Sequence, residues 1–277
     1  MSKACSESAP SVWHLRLSYH GGGYSGWQIQ PRGRTVQAEL RERLRKLFHD
    51  ESLEIQATSR TDAGVHALDQ NISFVEPVSE RPKKTPDRLR FLLNRWLPPE
   101  IRVTQAGMQP ANFHARYSAL AKAYTYVIEN ADSPSPFSAA FAWQFSARPD
   151  LSRMRAAANL LVGEHDFAGF SANPRRELES TVRTIHRFEV LAEGARIYLN
   201  VIGNGFLYKM VRGMAGYLAE AGLDTEWSPA ECRAILAAGK RTAKVKTAPP
   251  HGLFLARVFF APGEWLEYRP LLPPFAL

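Results

Sequence analysis

Apolar and polar positions follow two different periods along the chain, and these periods predict strands and helices. From residue 13 to 19 apolar and polar side chains alternate one by one, which is typical of a half-buried strand. From Val36 onward, Leu40 and Leu44 continue a helical repeat whose other faces carry arginine and glutamate. The chain therefore opens with a strand and an amphipathic helix, for which Thr35 is the expected N-cap.

The same two patterns recur through the rest of the sequence. They predict further strands at 56–57, 71–75, 101–103, 124–128, 183–191, 196–202 and 253–260. They predict further helices at 86–96, 151–161, 206–221 and 231–238. Strands with returning helices in both halves predict an α+β fold, with helices on one face of a mainly antiparallel sheet.

The break between the two series of elements falls near residues 106–120. We therefore expect two domains, residues 12–110 and residues 111–262. Residues 263–277 are rich in proline and show no period, so this tail should lie on the surface or be loosely ordered.

The composition is that of an ordinary water-soluble globular protein. The chain has 277 residues, of which 45% are apolar and 22% charged, and no apolar run long enough for a membrane helix or a signal peptide. A net charge of +8 favours polyanionic partners such as RNA, DNA or an acidic membrane surface. Cys5 and Cys232 are the only cysteines and have no metal-ligand spacing. We expect a reduced, cytoplasmic protein without zinc.

The segment 59–67, Ser-Arg-Thr-Asp-Ala-Gly-Val-His-Ala, carries the main candidate for catalysis. Gly64 allows the backbone to bend sharply just after Asp62. The Arg60 guanidinium, two residues before Asp62, favours the charged carboxylate. Asp-Ala-Gly by itself is more often a solvated turn, so the catalytic interpretation depends on the whole segment.

The glycine-rich segment 19–28 is a second candidate. It lacks the Gly-Lys-Ser/Thr of a phosphate-binding P-loop, and no helix starts there as a dinucleotide fingerprint requires. A flexible loop at the end of a strand is an equally good interpretation.

Aromatic side chains and a cation are interleaved in segment 113–117, Phe-His-Ala-Arg-Tyr. Phe113, His114 and Tyr117 could stack on unpaired bases while Arg116 grips phosphate, as in proteins that bind single-stranded RNA. Without other information, a strand with one solvated face fits this segment better, and the nearby Tyr124 would more often be a core ring.

Arg212 lies within an otherwise apolar predicted helix. Such an arginine usually reaches solvent, but if it is buried it needs a partner. Gly213 and Gly216 weaken the helix, so we expect them to allow another backbone to approach closely.

Several of these segments, in this order, closely resemble motifs of the tRNA pseudouridine synthase A family (TruA-like). They are residues 59–67, residues 113–117 and Met210-Val211-Arg212, and the resemblance runs from about residue 13 to residue 258. Segment 19–31 also resembles the family, except that His20 stands where the family usually has aspartate.

The resemblance implies a role for each candidate residue. Asp62 would be the catalytic residue, oriented by Arg60 and paired with Arg212. Tyr124 would contact the target base. Residues Phe113, His114, Arg116 and Tyr117 would line the RNA path, and Arg175 and Arg176 are weaker candidates in an RNA-contacting loop.

The resemblance also implies a fold and a reaction. The fold would consist of two ferredoxin-like or RNP-like halves that meet in a basic cleft, and a homodimer would hold one tRNA across both subunits. The reaction would convert uridine to pseudouridine at positions 38 to 40 of the tRNA anticodon stem-loop. It needs no cofactor, metal or nucleotide, because nothing enters or leaves overall.

Two other classes stay open from the residues. A non-catalytic RNA-binding protein would have the basic cleft but no need of an aspartate framed by arginines. A hydrolytic glycosylase could use the same aspartate, but would release uracil and leave an abasic site. The sequence leaves open which tRNA is modified, whether Asp62 attacks the sugar or the base, and which surface would form the dimer.

Overall fold

A computed structural model describes residues 12–77, 84–172 and 180–270. The strands, in chain order, are β1 Val12–Tyr19, β2 Gln56–Ala57, β3 His66–Val75, β4 Ile101–Gln109, β5 Ala121–Glu129, β6 Trp143–Gln144, β7 Gly163–Asp166, β8 Val182–Glu193, β9 Arg196–Gly203 and β10 Leu253–Phe259. The helices are α1 Val36–Phe48, α2 Pro86–Trp96, α3 Leu151–Leu160, α4 Met210–Leu223 and α5 Pro229–Ala238.

All ten strands of the described residues belong to one sheet. Its main order is β4-β1-β3-β10-β5-β9-β8-β7, with β2 beside β3 and β6 beside β5. The pairs β3–β10 and β5–β6 are parallel, and the other pairs are antiparallel. The sheet is mixed but mostly antiparallel, so the predicted α+β class is confirmed.

One large core lies between the helices and a single face of the sheet. Each helix contributes buried side chains to it, among them Leu40, Leu89, Met154, Met214 and Ile235. Burial of these apolar stripes is the main stabilising term of the fold.

The opposite face of the sheet has smaller apolar clusters. Trp265 and Tyr268 pack against one that includes Ala123 and Phe259, and Phe141 packs against another that includes Val127. The segment after β10 thus covers part of this face as far as residue 270. The rest of the expected tail lies outside the described residues.

Several predicted elements have different bounds in the structure, among them β3, which begins at His66 and not at residue 71. The helix predicted to begin at residue 206 begins at Met210, because Lys209 has a left-handed backbone with φ of 57°. The strand predicted at 101–103 extends to Gln109, because its backbone pairs with β1 along that length. Helices α1 and α2 begin as predicted. The Thr35 hydroxyl accepts from the Ala38 N–H, and the Thr85 hydroxyl accepts from the Arg88 N–H.

Candidate active site

Asp62 lies in the Asp loop, residues 58–65, which connects β2 to β3. The loop turns sharply after the aspartate, where the Val65 N–H donates to the Asp62 carbonyl at 3.1 Å. Gly64 has a φ of +79°, the left-handed conformation that the sequence suggested for this position. The turn presents the carboxylate just before the start of β3, an interior strand of the sheet.

The glycine loop, residues 20–28, packs directly behind the Asp loop. The Trp27 N–H donates to the Thr61 carbonyl at 3.0 Å, and the Gly64 N–H donates to the Tyr24 carbonyl at 3.3 Å. The Tyr19 hydroxyl is 2.8 Å from the Thr61 hydroxyl. These bonds fix the backbone on both sides of Asp62.

Two glycines make this packing possible. A Cβ on Gly21 would lie 2.0 Å from the Val65 carbonyl oxygen, and a Cβ on Gly26 would lie 2.7 Å from the Thr61 carbonyl oxygen. The glycine loop therefore makes close backbone contact with the Asp loop, a role that the sequence analysis did not assign to it.

Arg212 reaches Asp62 from the first turn of α4. Its Nη1 lies 2.9 Å from Asp62 Oδ2, and its Nε donates to the Ala248 carbonyl at 2.8 Å. The two side chains are only 11% and 16% exposed. The structure thus brings together the two residues that the resemblance pairs, across 150 positions of sequence. The charged hydrogen bond, sheltered from water, holds the carboxylate in one orientation.

The glycines after Arg212 let α4 approach two other segments closely. A Cβ on Gly213 would lie 2.2 Å from the Phe170 carbonyl oxygen, and a Cβ on Gly216 would lie 2.1 Å from the Lys246 carbonyl oxygen. The expectation of close backbone approach is confirmed. The same contact places the Arg212 side chain within reach of Asp62.

The ion pair lies in an open cleft of about 1110 Å³. The cleft is lined by residues 57–63, Val65, Arg116, Lys122, Tyr124, Arg183, residues 206–212, Pro250 and Leu253, with Ser25, Gln28 and Gln30 at one side. Its cationic side chains are Arg60, Arg116, Lys122, Arg183, Lys209 and Arg212, whereas Asp62 is the only carboxylate among these lining residues. Such a surface attracts a polyanion.

Tyr124 forms part of the cleft from the middle of β5. Its ring meets the Phe206 ring edge to face at 5.1 Å, and the residue is largely buried. Burial, together with the negative charge of Asp62, raises the pKa of Tyr124 to about 12. The hydroxyl therefore stays protonated at neutral pH and can donate a hydrogen bond.

The segment 113–117 forms turns and not the strand that its pattern favoured. His114 Nδ1 accepts from the backbone N–H groups of Arg116 and Tyr117, so this histidine stabilises the turn. Arg116 lines the cleft, whereas the Tyr117 side chain is 75% exposed. Phe113 packs against His14, with ring centroids 4.8 Å apart, and does not line the cleft.

The remaining candidates are placed as follows. Arg60 is exposed and lines the cleft beside Asp62. Arg175 and Arg176 lie outside the described residues. His20, the departure from the family motif, lies against the buried His66, with ring centroids 4.8 Å apart.

Lys122 and Arg183 also line the cleft, and the sequence analysis did not single them out. The signal for Lys122 was present, because a residue two positions before Tyr124 on a strand faces the same side. Arg183 opens a strand far along the chain, and periodicity alone does not show which strand end borders the cleft.

Comparisons with known proteins find similarity along most of this chain. A family model described as tRNA pseudouridine synthase matches residues 17–118 and 157–261. The tRNA pseudouridine synthase A of Bacillus pumilus is 42% identical over 245 residues, covering 88% of this chain and 97% of that protein. The chain belongs to the tRNA pseudouridine synthase family. The resemblance first drawn from the motifs is confirmed, and with it the prediction of an isomerase.

Other members of the synthase family match over similar lengths. The protein from Syntrophotalea carbinolica is 40% identical and covers 93% of this chain and 99% of its own. The tRNA pseudouridine synthase A of Bacillus subtilis is 39% identical, over 88% of this chain and 97% of that protein. Among solved structures, an archaeal box H/ACA Nop10–Cbf5 complex aligns with 75% of this chain and 43% of that chain, at a TM-score of 0.32 and 12% identity.

Neither a metal-binding cluster nor a membrane-spanning helix occurs among the described residues. No group of three or more His, Cys, Asp or Glu side chains there could hold a metal ion. In the same part of the chain, no helix is both long and apolar enough to cross a membrane.

Proposed function

We propose that this protein isomerises uridine to pseudouridine at positions 38 to 40 of the tRNA anticodon stem-loop, with Asp62 as its catalytic carboxylate. The observation that carries the proposal is the Asp62–Arg212 ion pair, at 2.9 Å, in a cleft whose other charged side chains are all cations. The cations suit the RNA backbone, and the single carboxylate supplies the reactive group.

The reaction rearranges one nucleotide without any net addition. The N1–C1′ bond breaks, the uracil turns, and C5 joins C1′; C5 then loses its proton to solvent while N1 gains one. Asp62 can act as a nucleophile, or as the base that removes a proton from the sugar. Both roles need an ionised, oriented carboxylate, and Arg212 provides the orientation.

The cleft can receive the nucleotide only after the base has left its stack. Unstacking costs a few kcal/mol, and least where pairing is weak. Tyr124 would then lie along one face of the flipped base, with Asp62 near the sugar. Arg60, exposed at the rim beside Asp62, would help to orient the carboxylate. Arg116, which lines the cleft, would contact the RNA backbone near the target. More distant parts of the RNA would be contacted by Phe113, His114, Tyr117, Arg175 and Arg176.

We further propose that the chain is built from two ferredoxin-like domains, residues 12–110 and residues 111–262. The order β-α-β-β-α-β occurs in β1-α1-β2-β3-α2-β4 and, with insertions, in β5-α3-β8-β9-α4-β10. The strands of the first set lie in the order β4-β1-β3-β2, and those of the second in the matching order β10-β5-β9-β8. The parallel contact of β3 with β10 would join the domains beside the Asp loop.

The family resemblance also supports a cytoplasmic homodimer that holds one tRNA across both subunits. Light scattering on the purified protein, alone and with tRNA, measures the number of subunits in the protein and the number of tRNA molecules bound per dimer. A stable monomer that binds tRNA with full activity would rule the dimer out.

Product analysis tests the proposed function against its two alternatives. An unmodified tRNA transcript is incubated with the protein and divided into two portions. One portion is digested to nucleosides for product identification, and the other is left intact and mapped for pseudouridine by chemical modification and primer extension. Pseudouridine at one or more of positions 38 to 40 is the expected result. Free uracil with abasic sites would make the protein a glycosylase, and binding without any product would make it an RNA-binding protein.

A further inference from the structure

Lys122 lies in the catalytic cleft without an acidic partner. Its Nζ donates to the Thr58 carbonyl at 2.9 Å, and within the described ranges no carboxylate forms a salt bridge with it. Burial and the nearby charges of Arg116 and Arg183 lower the pKa of Lys122 to about 8. A partly buried ammonium with one neutral partner is costly, and its remaining N–H groups are available to an anion.

Arg116 and Arg183 share the same part of the cleft. Both line it, and both are close enough to Lys122 for their charges to disfavour its protonated form. The Arg183 guanidinium donates to the carbonyls of Ser180 and Val182, which fixes its position without neutralising it. Three cations that repel one another gain most from a shared anion.

The position of this cluster relative to the reacting group narrows the choice of anion. Thr58, which Lys122 contacts, belongs to the Asp loop, and Lys122 faces the same side of β5 as Tyr124. The only anionic group that RNA brings into the cleft is the phosphodiester. A nucleotide whose base contacts Tyr124 has its own phosphates one sugar away from that base.

We propose that Arg116, Lys122 and Arg183 form a binding site for one phosphodiester that flanks the target uridine. The site would anchor the flipped nucleotide, so that its C1′ lies opposite the Asp62 carboxylate. This inference rests on the proposed function, because it takes the substrate to be RNA. Lys122 is a binding residue in this scheme and takes no part in proton transfer.

Anion binding at Lys122 makes substrate affinity depend on pH in a definite direction. A bound phosphodiester favours the charged ammonium and moves its pKa back towards the ordinary value near 10.5. Binding is therefore coupled to proton uptake, and affinity falls as the pH rises above about 8. The charged groups that face Lys122 are Arg116 and Arg183. Because a guanidinium side chain is not deprotonated in proteins, Lys122→Arg should remove the pH dependence.

The decisive experiment combines a protein variant with a neutral linkage in the substrate. A stem-loop RNA with a single methylphosphonate on the 5′ or the 3′ side of the target uridine is compared with the unmodified RNA under single-turnover conditions. For the parent protein, one of the two linkages should raise the half-saturating enzyme concentration about tenfold or more. For Lys122→Met, the unmodified RNA should show a similar loss, and the methylphosphonate should add less than about twofold.

Two variants separate this role from a merely structural one. Lys122→Arg keeps the charge and should restore sensitivity to the methylphosphonate, whereas Lys46→Met, on the exposed face of α1, should behave like the parent protein. If each methylphosphonate raises the half-saturating enzyme concentration by the same factor in the parent and in Lys122→Met, the proposed phosphate site is wrong. That result would leave the proposed function intact, provided that pseudouridine is still formed. Absence of pseudouridine with the parent protein would overturn the proposed function itself.

Discussion

At the scale of single residues, the account depends on one ion pair. Asp62 and Arg212 are mostly buried, and the arginine is held by a second bond to the Ala248 carbonyl. Removing one member of a buried pair leaves an uncompensated charge, which costs far more than breaking an exposed pair. The pair should therefore affect both catalysis and stability.

Replacing Arg212 tests this expectation. Arg212→Met should lower kcat by about 100-fold or more, because Asp62 loses the bond that orients it, while tRNA affinity changes less. It should also lower the free energy of unfolding by roughly 1–3 kcal/mol. Urea denaturation and single-turnover kinetics measure the two effects.

A matched variant and a double variant check the cause. Arg148→Met breaks an ion pair whose side chains are 80% and 83% exposed, and should change the free energy of unfolding by less than about 0.5 kcal/mol. Adding Asp62→Asn to Arg212→Met should recover part of the lost stability. A double variant less stable than either single one would mean that the buried charge is not the cause.

At the scale of elements, the site depends on loops packed backbone to backbone. The glycine loop supports the Asp loop through Gly21 and Gly26, and α4 approaches its neighbours through Gly213 and Gly216. These contacts involve carbonyl oxygens, which cannot rotate away as a flexible side chain can. A single added methyl group must therefore displace a backbone.

Gly21 and Gly23 lie in the same short turn and offer a matched pair. Gly21→Ala should lower kcat at least tenfold, because its Cβ would lie 2.0 Å from the Val65 carbonyl and push the Asp loop away. Gly23→Ala has no atom within 4 Å of its Cβ and should retain nearly full activity. Equal effects of the two substitutions on kcat, at equal thermal stability, would contradict the proposed support.

Much of this organisation was predictable from the sequence, and the limits have physical reasons. Period-two and helical patterns predicted most strands and helices, and Thr35 marked the start of α1. The motif resemblance gave the Asp62–Arg212 pairing, which no local pattern shows, since contact across 150 residues depends on the fold. The turn at 113–117 was not predicted because the pattern of its residues favours a strand. In the structure the His114 side chain accepts from the Arg116 N–H and stabilises a turn. Lys122 was not predicted as a cleft residue, although it lies on the same side of its strand as Tyr124.

At the scale of the whole molecule, His66 links separate parts of the chain. Its Nδ1 accepts from the Gly21 N–H at 3.0 Å, and its Nε2 lies 3.1 Å from the carbonyls of both Ala140 and His251. The ring is therefore neutral, with its proton on Nε2. Burial, with the neighbouring His20 charge second, lowers the pKa of His66 to about 4.

This histidine predicts a loss of stability in mild acid. Its unfolded pKa near 6.5 exceeds the folded one, so the unfolded state binds the proton first as the pH falls. The contribution of neutral His66 to the free energy of unfolding is fully present above pH 6.5 and is lost as the pH falls towards 4. Between pH 7 and 5, urea denaturation should show that the parent loses about 1–2 kcal/mol more than His66→Asn. His165→Asn is the control and should lose as much stability between pH 7 and 5 as the parent protein. If His66→Asn also loses as much as the parent, His66 is not the source of the acid sensitivity.

The charge of the cleft predicts how tRNA binding responds to salt. Each neutralised phosphate contributes a slope of about −0.7 to −0.9 in log affinity against log salt. If about four phosphates are bound, affinity falls roughly 100-fold between 50 and 200 mM salt. Lys209→Met, in the cleft, should reduce the slope by about one unit, and Lys46→Met should not. A flat response of the parent protein would contradict extensive phosphate contact.

The most direct test of the central claim is the release of tritium from C5 of labelled uridine in an unmodified tRNA transcript. The parent protein should release tritium and leave pseudouridine in the product. Asp62→Ala should lower the rate by about 1000-fold or more while still binding tRNA, and Asp87→Ala, at a side chain that is 93% exposed, should match the parent. Undiminished release by Asp62→Ala would show that this carboxylate does not carry the reaction.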